Sequence, residues 1–546
     1  MATLAGQAAD TRTTTARSER SAMSVGWWRI RVLWSLGIFC LALLPYAAAI
    51  AGTPDGSFFR GSLRPSTDAG MYLTALRLGA EGEWLWHDPL AVHAPPAILM
   101  YPTYNFAGHV GALFHVSPRT SYIFYHAFAV LVLFGTVWRL ASLFFNPRER
   151  RWFTAFAFCA SGLYWLDALL DTIGRAPVSL TRMGMENLSG FSLGLIVGHQ
   201  ALGIAGHLMA LTALLVGLCM QQSPYCWWYL LYGAAGTILI GFAAPVFLPL
   251  TFMVLALFVL WWVVRAAPGD QRLSALRRGL LVGGVVGGPG VPFALYYYFL
   301  FNHGTWKGFQ HLSPLNPLEG LLTWGVLVPL GIWGWRMAPP SLRPLATILA
   351  LWCMCAICGT ALNLYQGSRL TTGVTLPIGG LFAMGLMRYS FTVRRHWLEA
   401  LSVSLVCQYL FLLTALLNGN AKHLYNNAAQ EQALQWLALH GNTRDVVLAP
   451  FFFGNVATEA SPVRVVAGGY DQTYDFAMRY PQLQTFFGAS STTAERLHVL
   501  RATSATLVVY DGHNPYEGPF DPQNLPGLRT VFVRGDVAIL RVPPGM

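Results

Sequence analysis

Charge is what this chain has least of. Only 11% of its 546 residues are Asp, Glu, Lys or Arg, against about a quarter in an ordinary soluble domain. So little charge on so long a chain excludes a water-surrounded globule and calls for a lipid solvent. Lysine is nearly missing, with Lys307 and Lys422 alone. The cysteines, Cys40, Cys159, Cys219, Cys226, Cys353, Cys355, Cys358 and Cys407, lie in or beside apolar runs, and the polar C-terminal stretch has none, so no disulfide framework is implied. There is no P-loop, no dinucleotide fingerprint and no long repeat. The net charge of +11 does not signal nucleic acid, because the arginines sit in short clusters between apolar runs, which is how membrane topology is written.

What the chain does have is apolar length. Hydrophobic residues make up 54% of it and mean hydropathy is +0.46. Residues 1–31 are rich in Ala, Thr, Arg and Ser and read as a disordered cytoplasmic N-terminus. Apolar runs follow at 32–52, 121–143, 152–170, 200–220, 225–243, 245–264, 279–301, 318–335, 345–362, 371–387 and 397–417, each near the ~20 residues that a bilayer core demands. The first reads as an uncleaved signal anchor. Pro245 and Pro249 break what is otherwise one overlong run.

Residues 97–114 are also apolar enough to cross. The arginines argue against a crossing. Arg29/Arg31, Arg148/Arg150/Arg151, Arg265/Arg272/Arg277/Arg278, Arg336/Arg343 and Arg388/Arg394/Arg395 share one side only if 97–114 stays out of the bilayer. Residues 53–120 are therefore one long outer loop, with an interfacial or re-entrant helix interrupted at Pro102. The expectation is an α-helical polytopic membrane protein of about eleven transmembrane helices over residues 32–417, N-terminus cytoplasmic. Residues 418–546 change composition and read as a small extracytoplasmic α/β domain: an amphipathic helix at 426–440, a helix at 492–502, and strands at 445–449, 463–467, 505–510, 530–534 and 537–542.

The outer loop carries the strongest candidates for chemistry. Ser66 or Thr67 caps a helix whose first turn holds Asp68, and the helix dipole keeps that carboxylate ionised. An ionised carboxylate at the membrane surface suits a general base. Tyr72 lies one turn on, on the same face. Equally, Asp68 merely decorates a helix N-terminus. Asp55 and Asp88 offer a second acid or a metal ligand, although an Asp before Pro89 is commonly a turn residue. Trp84 and Trp86 read as interface anchors. Asp167, Asp171, Arg175, Arg182, Glu186, His199 and Gln200 lie in or beside the second outer loop, as candidates for an acceptor or metal site or as solvated surface. Lys307 sits with His303, Trp306 and His311 in another. Cys353, Cys355 and Cys358 mimic a metal spacing, but on a helix they do not share a face and read as packing.

Together these features resemble the GT-C superfamily, here a bacterial, mannosyltransferase-like member among polytopic glycosyltransferases that use polyprenyl-phosphate sugars. The resemblance spans about residues 32–542 and rests on ordered weak elements: Asp68 and Tyr72, then Gly82, Trp84 and Asp88; Tyr296-Tyr297-Tyr298 before a loop with Trp306, Ser313 and Pro314; Arg369, Gly373 and Pro377 between late spans; and Gly468-Gly469-Tyr470 with Thr473, then Phe486-Phe487. It implies Asp68 as catalytic base and Arg369, helped by Lys307, on the lipid phosphate. Tyr72, Asp88, His199 and Glu186 are further substrate-binding candidates. Ala69 stands where many members carry a second acid after the base, so the role of an adjacent second acid has no counterpart here; the resemblance leaves a divalent metal ion optional. The expected partners are a polyprenyl-phosphate-linked sugar donor, a glycan, lipid or protein acceptor, and membrane lipids. A transporter or lipid flippase is the first rival reading and a non-enzymatic envelope protein with an outer binding domain the second. The absence of paired repeats speaks against the transporter.

Overall fold

The computed structural model describes residues 24–63, 67–93, 95–163, 189–220, 226–303, 306, 317–362, 367–417, 424–470, 472–513 and 517–546. Among them, eight helices are long and apolar enough to cross a bilayer: Val32–Ala51, Pro118–Phe144, Gly198–Cys219, Cys226–Ala243, Phe247–Arg265, Asp270–Asn302, Pro340–Ala361 and Phe391–Thr414. The other apolar runs hold shorter helices. Pro147–Cys159 opens one, Gly325–Leu327 splits another into Pro317–Thr323 and Val328–Met337, and Thr375–Leu386 forms the third. The break between Cys226–Ala243 and Phe247–Arg265 falls at Pro245, which cannot donate to a continuing helix.

Arginines gather at turns between consecutive spans. Asn146 caps Pro147–Cys159 through a reciprocal capping box with Glu149, placing Arg148, Arg150 and Arg151 at that turn. Arg278 donates to the carbonyl of Gly217 at 2.9 and 2.7 Å, which ties Asp270–Gly287 to Gly198–Cys219.

The long loop between the first two spans holds two short helices, Thr67–Ala80 and Pro102–Leu113. The second begins at Pro102 and is not interrupted by it. Proline suits a first helical position, where its missing N–H is needed by nobody. Its 12 residues reach about 18 Å, far short of the ~30 Å of a bilayer core. The two helices cross at glycine. A Cβ on Gly79 would lie 2.0 Å from the Asn105 carbonyl oxygen, and one on Gly108 would lie 2.1 Å from that of Leu76. Only hydrogen at these positions permits the backbones to touch.

The C-terminal domain is a five-stranded sheet in the order β4-β3-β5-β7-β6, formed by β3 (Val446–Leu448), β4 (Arg464–Val465), β5 (Leu507–Asp511), β6 (Arg529–Arg534) and β7 (Val537–Arg541). β4, β3 and β5 run parallel, while β7 is antiparallel to both β5 and β6. The helices Ala428–His440 and Thr493–Thr503 stand where the sequence places them, each started by a capping box. The helices Phe451–Ala460 and Phe476–Phe487 are not foreseen by the sequence reading. Aromatic runs blur a 3.6-residue period, and Pro481 sits inside the second helix.

This domain is stitched to the long outer loop. β1 (Ser57–Phe59) pairs antiparallel with β2 (Tyr425–Asn427). Pro89 accepts from the Val465 N–H at 2.8 Å, and Leu90 from the Tyr474 N–H at 3.1 Å. Arg119 forks onto Glu431 at 2.9 and 3.1 Å, and Arg60 approaches the buried Glu459 at 3.5 Å.

Candidate active site

Asp68 lies in the first turn of Thr67–Ala80 and is half-buried. The C-terminal domain fixes that helix from behind. A Cβ on Gly70 would lie 2.0 Å from Asn455 Oδ1, so the helix lies flush on Phe451–Ala460. Thr74 and Thr458 share a hydroxyl contact of 3.1 Å, and Arg77 Nε donates to the Thr458 carbonyl at 3.0 Å. A second bond reaches the carboxylate itself: Gln472 Nε2 donates to Asp68 Oδ1 at 2.7 Å.

One turn on, Tyr72 heads an aromatic cluster. Its ring stacks on Tyr104 at 4.7 Å, meets Tyr101 edge-on at 5.6 Å and lies 4.9 Å from the His199 ring. Tyr104 Oη and His199 Nδ1 are 3.0 Å apart. His199 stands at the start of Gly198–Cys219, so a transmembrane helix delivers it to the outer-loop pair. His199, far away in sequence, is thus brought to Tyr72, one turn from Asp68.

Tyr101 links the remaining charges. Its backbone is left-handed, φ 55° and ψ 33°, which is unusual for a tyrosine and disfavoured before proline. Trp86 holds the ring edge-on at 5.2 Å, and Leu99 nearby donates to Tyr296 Oη at 2.8 Å and accepts from Tyr297 Oη at 3.0 Å. Strain of this kind gathers at functional sites. Desolvation keeps the Tyr101 hydroxyl protonated well above its ordinary range. The Asp68 carboxylate pushes the same way, Arg369 opposes it, and Asp88 and Tyr297 add to it. One phenol therefore feels Asp68, Arg369 and Asp88 together. Arg369 comes from the turn Gly367–Thr371 between two late spans and is half-buried.

Asp88 is 3% exposed. Burial raises its carboxyl from the usual carboxylate range to about 7, slightly offset by the Leu90 N–H that Oδ1 accepts at 3.0 Å. Its Oδ2 is buried without a hydrogen-bond partner among the described residues. Asp55 stays apart, exposed in a turn. Glu186 and Lys307 lie outside the described residues, as do Asp167, Asp171, Arg175, Arg182 and His311. Among the described residues, no three His, Cys, Asp or Glu side chains converge to hold a metal ion. The thiols of Cys353, Cys355 and Cys358 are free and differ in exposure, as separate helix faces require.

Sequence reasoning missed Tyr101, Tyr104 and Gln472. No spacing or motif singles out the tyrosines, and nothing local marks a glutamine whose partner is 404 residues away.

The fold and this site define a multi-pass membrane protein in which a carboxylate of the long loop after the first span receives an amide N–H from the C-terminal domain. No protein-family model matches the sequence, and no curated protein does. Solved structures do match. ArnT from Cupriavidus metallidurans in the apo state gives a TM-score of 0.55 at 13% identity, over 95% of this chain and 98% of that one. The oligosaccharyltransferase from Archaeoglobus fulgidus in the apo form gives 0.54 at 12%, over 88% and 69%. The arabinofuranosyltransferase AftD from Mycobacteria gives 0.54 at 15%, over 93% of this chain and 40% of that one. At such identities the likeness is one of fold.

Proposed function

We propose that the protein is an inverting membrane glycosyltransferase that moves a sugar from a polyprenyl-phosphate carrier to an acceptor hydroxyl. The observation that carries this reading is the placement of Asp68, held by Gln472 at 2.7 Å and one helical turn from the Tyr72–Tyr104–His199 cluster. The reaction requires a base of this kind and a cation for the phosphate, the part assigned to Arg369. Support for the donor class comes from relatives in fold: ArnT has been solved bound to undecaprenyl phosphate, and the archaeal enzyme AglB in complex with an inhibitory peptide and a dolichol-phosphate.

Asp68 takes the proton of the acceptor hydroxyl. The oxygen attacks the anomeric carbon from the face opposite the phosphate. The carbon–oxygen bond to phosphate breaks, and the lipid phosphate leaves with the electron pair. Arg369 suits that leaving group because its planar fork binds two phosphate oxygens at once. Tyr72, His199, Asp88, Lys307 and Glu186 are candidates for donor and acceptor contacts. A divalent metal ion is optional, and no step is routed through one.

The arginine-bearing turns support a cytoplasmic N-terminus in the cell membrane and an extracytoplasmic site. Sugar nucleotides are not available on that side, so a lipid-linked donor is the chemistry left. The test is an undecaprenyl-phosphate-linked sugar panel with reconstituted protein and a nuclear magnetic resonance assignment of the product anomer. Inverted product from wild type, with Arg369→Ala raising donor KM and Arg369→Lys restoring it only in part, supports the proposal. Retained configuration would sink the single-displacement mechanism.

A further inference from the structure

Gln472 occupies an unusual position for a buried amide. It is 9% exposed. One end, Nε2, reaches Asp68 Oδ1 at 2.7 Å. The other end, Oε1, is buried with no hydrogen-bond partner among the described residues. The amide cannot turn over to relieve this, because Oε1 would then face an ionised carboxylate that only accepts. The surrounding loop is pinned on both sides. Thr473 Oγ1 accepts from the N–H groups of Gly468 and Gly469 at 3.2 and 3.0 Å, and the Tyr474 N–H is held by Leu90 of the outer loop. Gly469 leaves the room the amide needs, since a Cβ there would lie 2.8 Å from Gln472 Oε1 and 3.1 Å from Leu90 Cδ1.

A leucine would fill the same volume and leave no orphaned oxygen. A buried polar group kept with half its capacity unused calls for an explanation other than stability. The described structure gives Gln472 one polar side-chain contact, and that contact is Asp68.

We infer that Gln472 is the positioning residue of the catalytic base: the C-terminal domain reaches into the membrane site through this amide and holds one oxygen of Asp68. A base oriented by a third group is the usual logic of such sites. This role rests on the proposed function. It gives the C-terminal domain a part in catalysis distinct from acceptor recognition, because the base is set only when the domain is docked. Asp68 has Tyr72 one turn on along its own helix and receives the Gln472 amide from the sheet domain.

The experiment compares wild type, Gln472→Leu and Gln472→Glu, purified and reconstituted, on an undecaprenyl-phosphate-linked sugar that wild type turns over. The readouts are released undecaprenyl phosphate across pH and thermal unfolding. Gln472→Leu is expected to unfold at or above the wild-type temperature, with kcat down about 10- to 100-fold, as for orienting groups elsewhere, and with donor KM little changed. The acid limb of its rate profile should move to higher pH, because the charged form of the base loses a hydrogen bond. Gln472→Glu should move that limb further, because two adjacent carboxylates cannot both ionise freely. Wild-type kcat and an unmoved acid limb in both variants would overturn the role. So would loss of activity that only tracks loss of stability. A wild type that releases lipid phosphate from no donor overturns the proposed function first, and this role with it.

Discussion

Asp68 and Asp88 are two carboxylates of one loop with opposite surroundings. Asp68 is half-buried and receives an amide N–H, while Asp88 is covered and keeps one oxygen without a partner among the described residues. For Asp88 the consequence is a pH dependence of stability. Its folded value of about 7 lies above that of the unfolded chain, so the folded state binds the extra proton, and stability falls as pH rises from the ordinary carboxylate range through 7. Asp88→Asn removes that proton-linked loss, with an upper bound on the order of 4 kcal/mol for a shift of this size. The variant should melt above wild type at pH 8 and close to it at pH 4.5, in detergent-solubilised thermal unfolding. An equal gap at both pH values contradicts the assignment. Asp68 was legible in the sequence because a cap, a first-turn acid and a following tyrosine are local features. Arg369 needed the resemblance. Tyr101 and Gln472 were not legible, since their importance lies in a backbone strain and a contact that only tertiary structure creates.

At the scale of elements, glycine sets where the Asp68 helix sits. Gly79 and Gly108 bring it against Pro102–Leu113, and Gly70 lays it on Phe451–Ala460. Adding one methyl at such a crossing forces the helices apart, typically at about 1–3 kcal/mol. Gly79→Ala and Gly108→Ala should therefore lower the unfolding temperature and also reduce turnover, because the shift carries Asp68 with it. Gly37→Ala, which meets nothing within 4 Å, is the control and should change neither. Equal tolerance at all three positions would contradict the packing account. The short second helix of the loop was legible from charge alone: the arginine clusters excluded a crossing. That Pro102 starts it and does not interrupt it was not legible, because a proline inside an apolar run reads the same in either place. The supporting helix Phe451–Ala460 escaped because Phe451-Phe452-Phe453 carries no helical period.

At the scale of the molecule, the membrane bundle and the sheet domain are joined by β1 pairing with β2, by the Arg119–Glu431 fork and by the strap of residues 88–92. The sheet domain supplies Asn455, Thr458 and Gln472 to the helix that bears Asp68. A chain ending after Leu417 should lose donor turnover completely and not merely acceptor choice, even where it elutes as a single species. Donor turnover by that truncated chain would show the bundle sufficient by itself. Most of the domain's strands were legible from alternating β-branched runs between turn residues, and its position over the site was not, because nothing in a strand pattern records what the strand's edge faces.

The central claim is that Asp68 acts as base in transfer from a lipid-phosphate sugar. Its most direct test is release of polyprenyl phosphate by reconstituted wild type beside Asp68→Asn. The account predicts release by wild type and a loss on the order of a hundredfold to ten-thousandfold in the variant, with unchanged folding and membrane insertion. Full release by Asp68→Asn would contradict it.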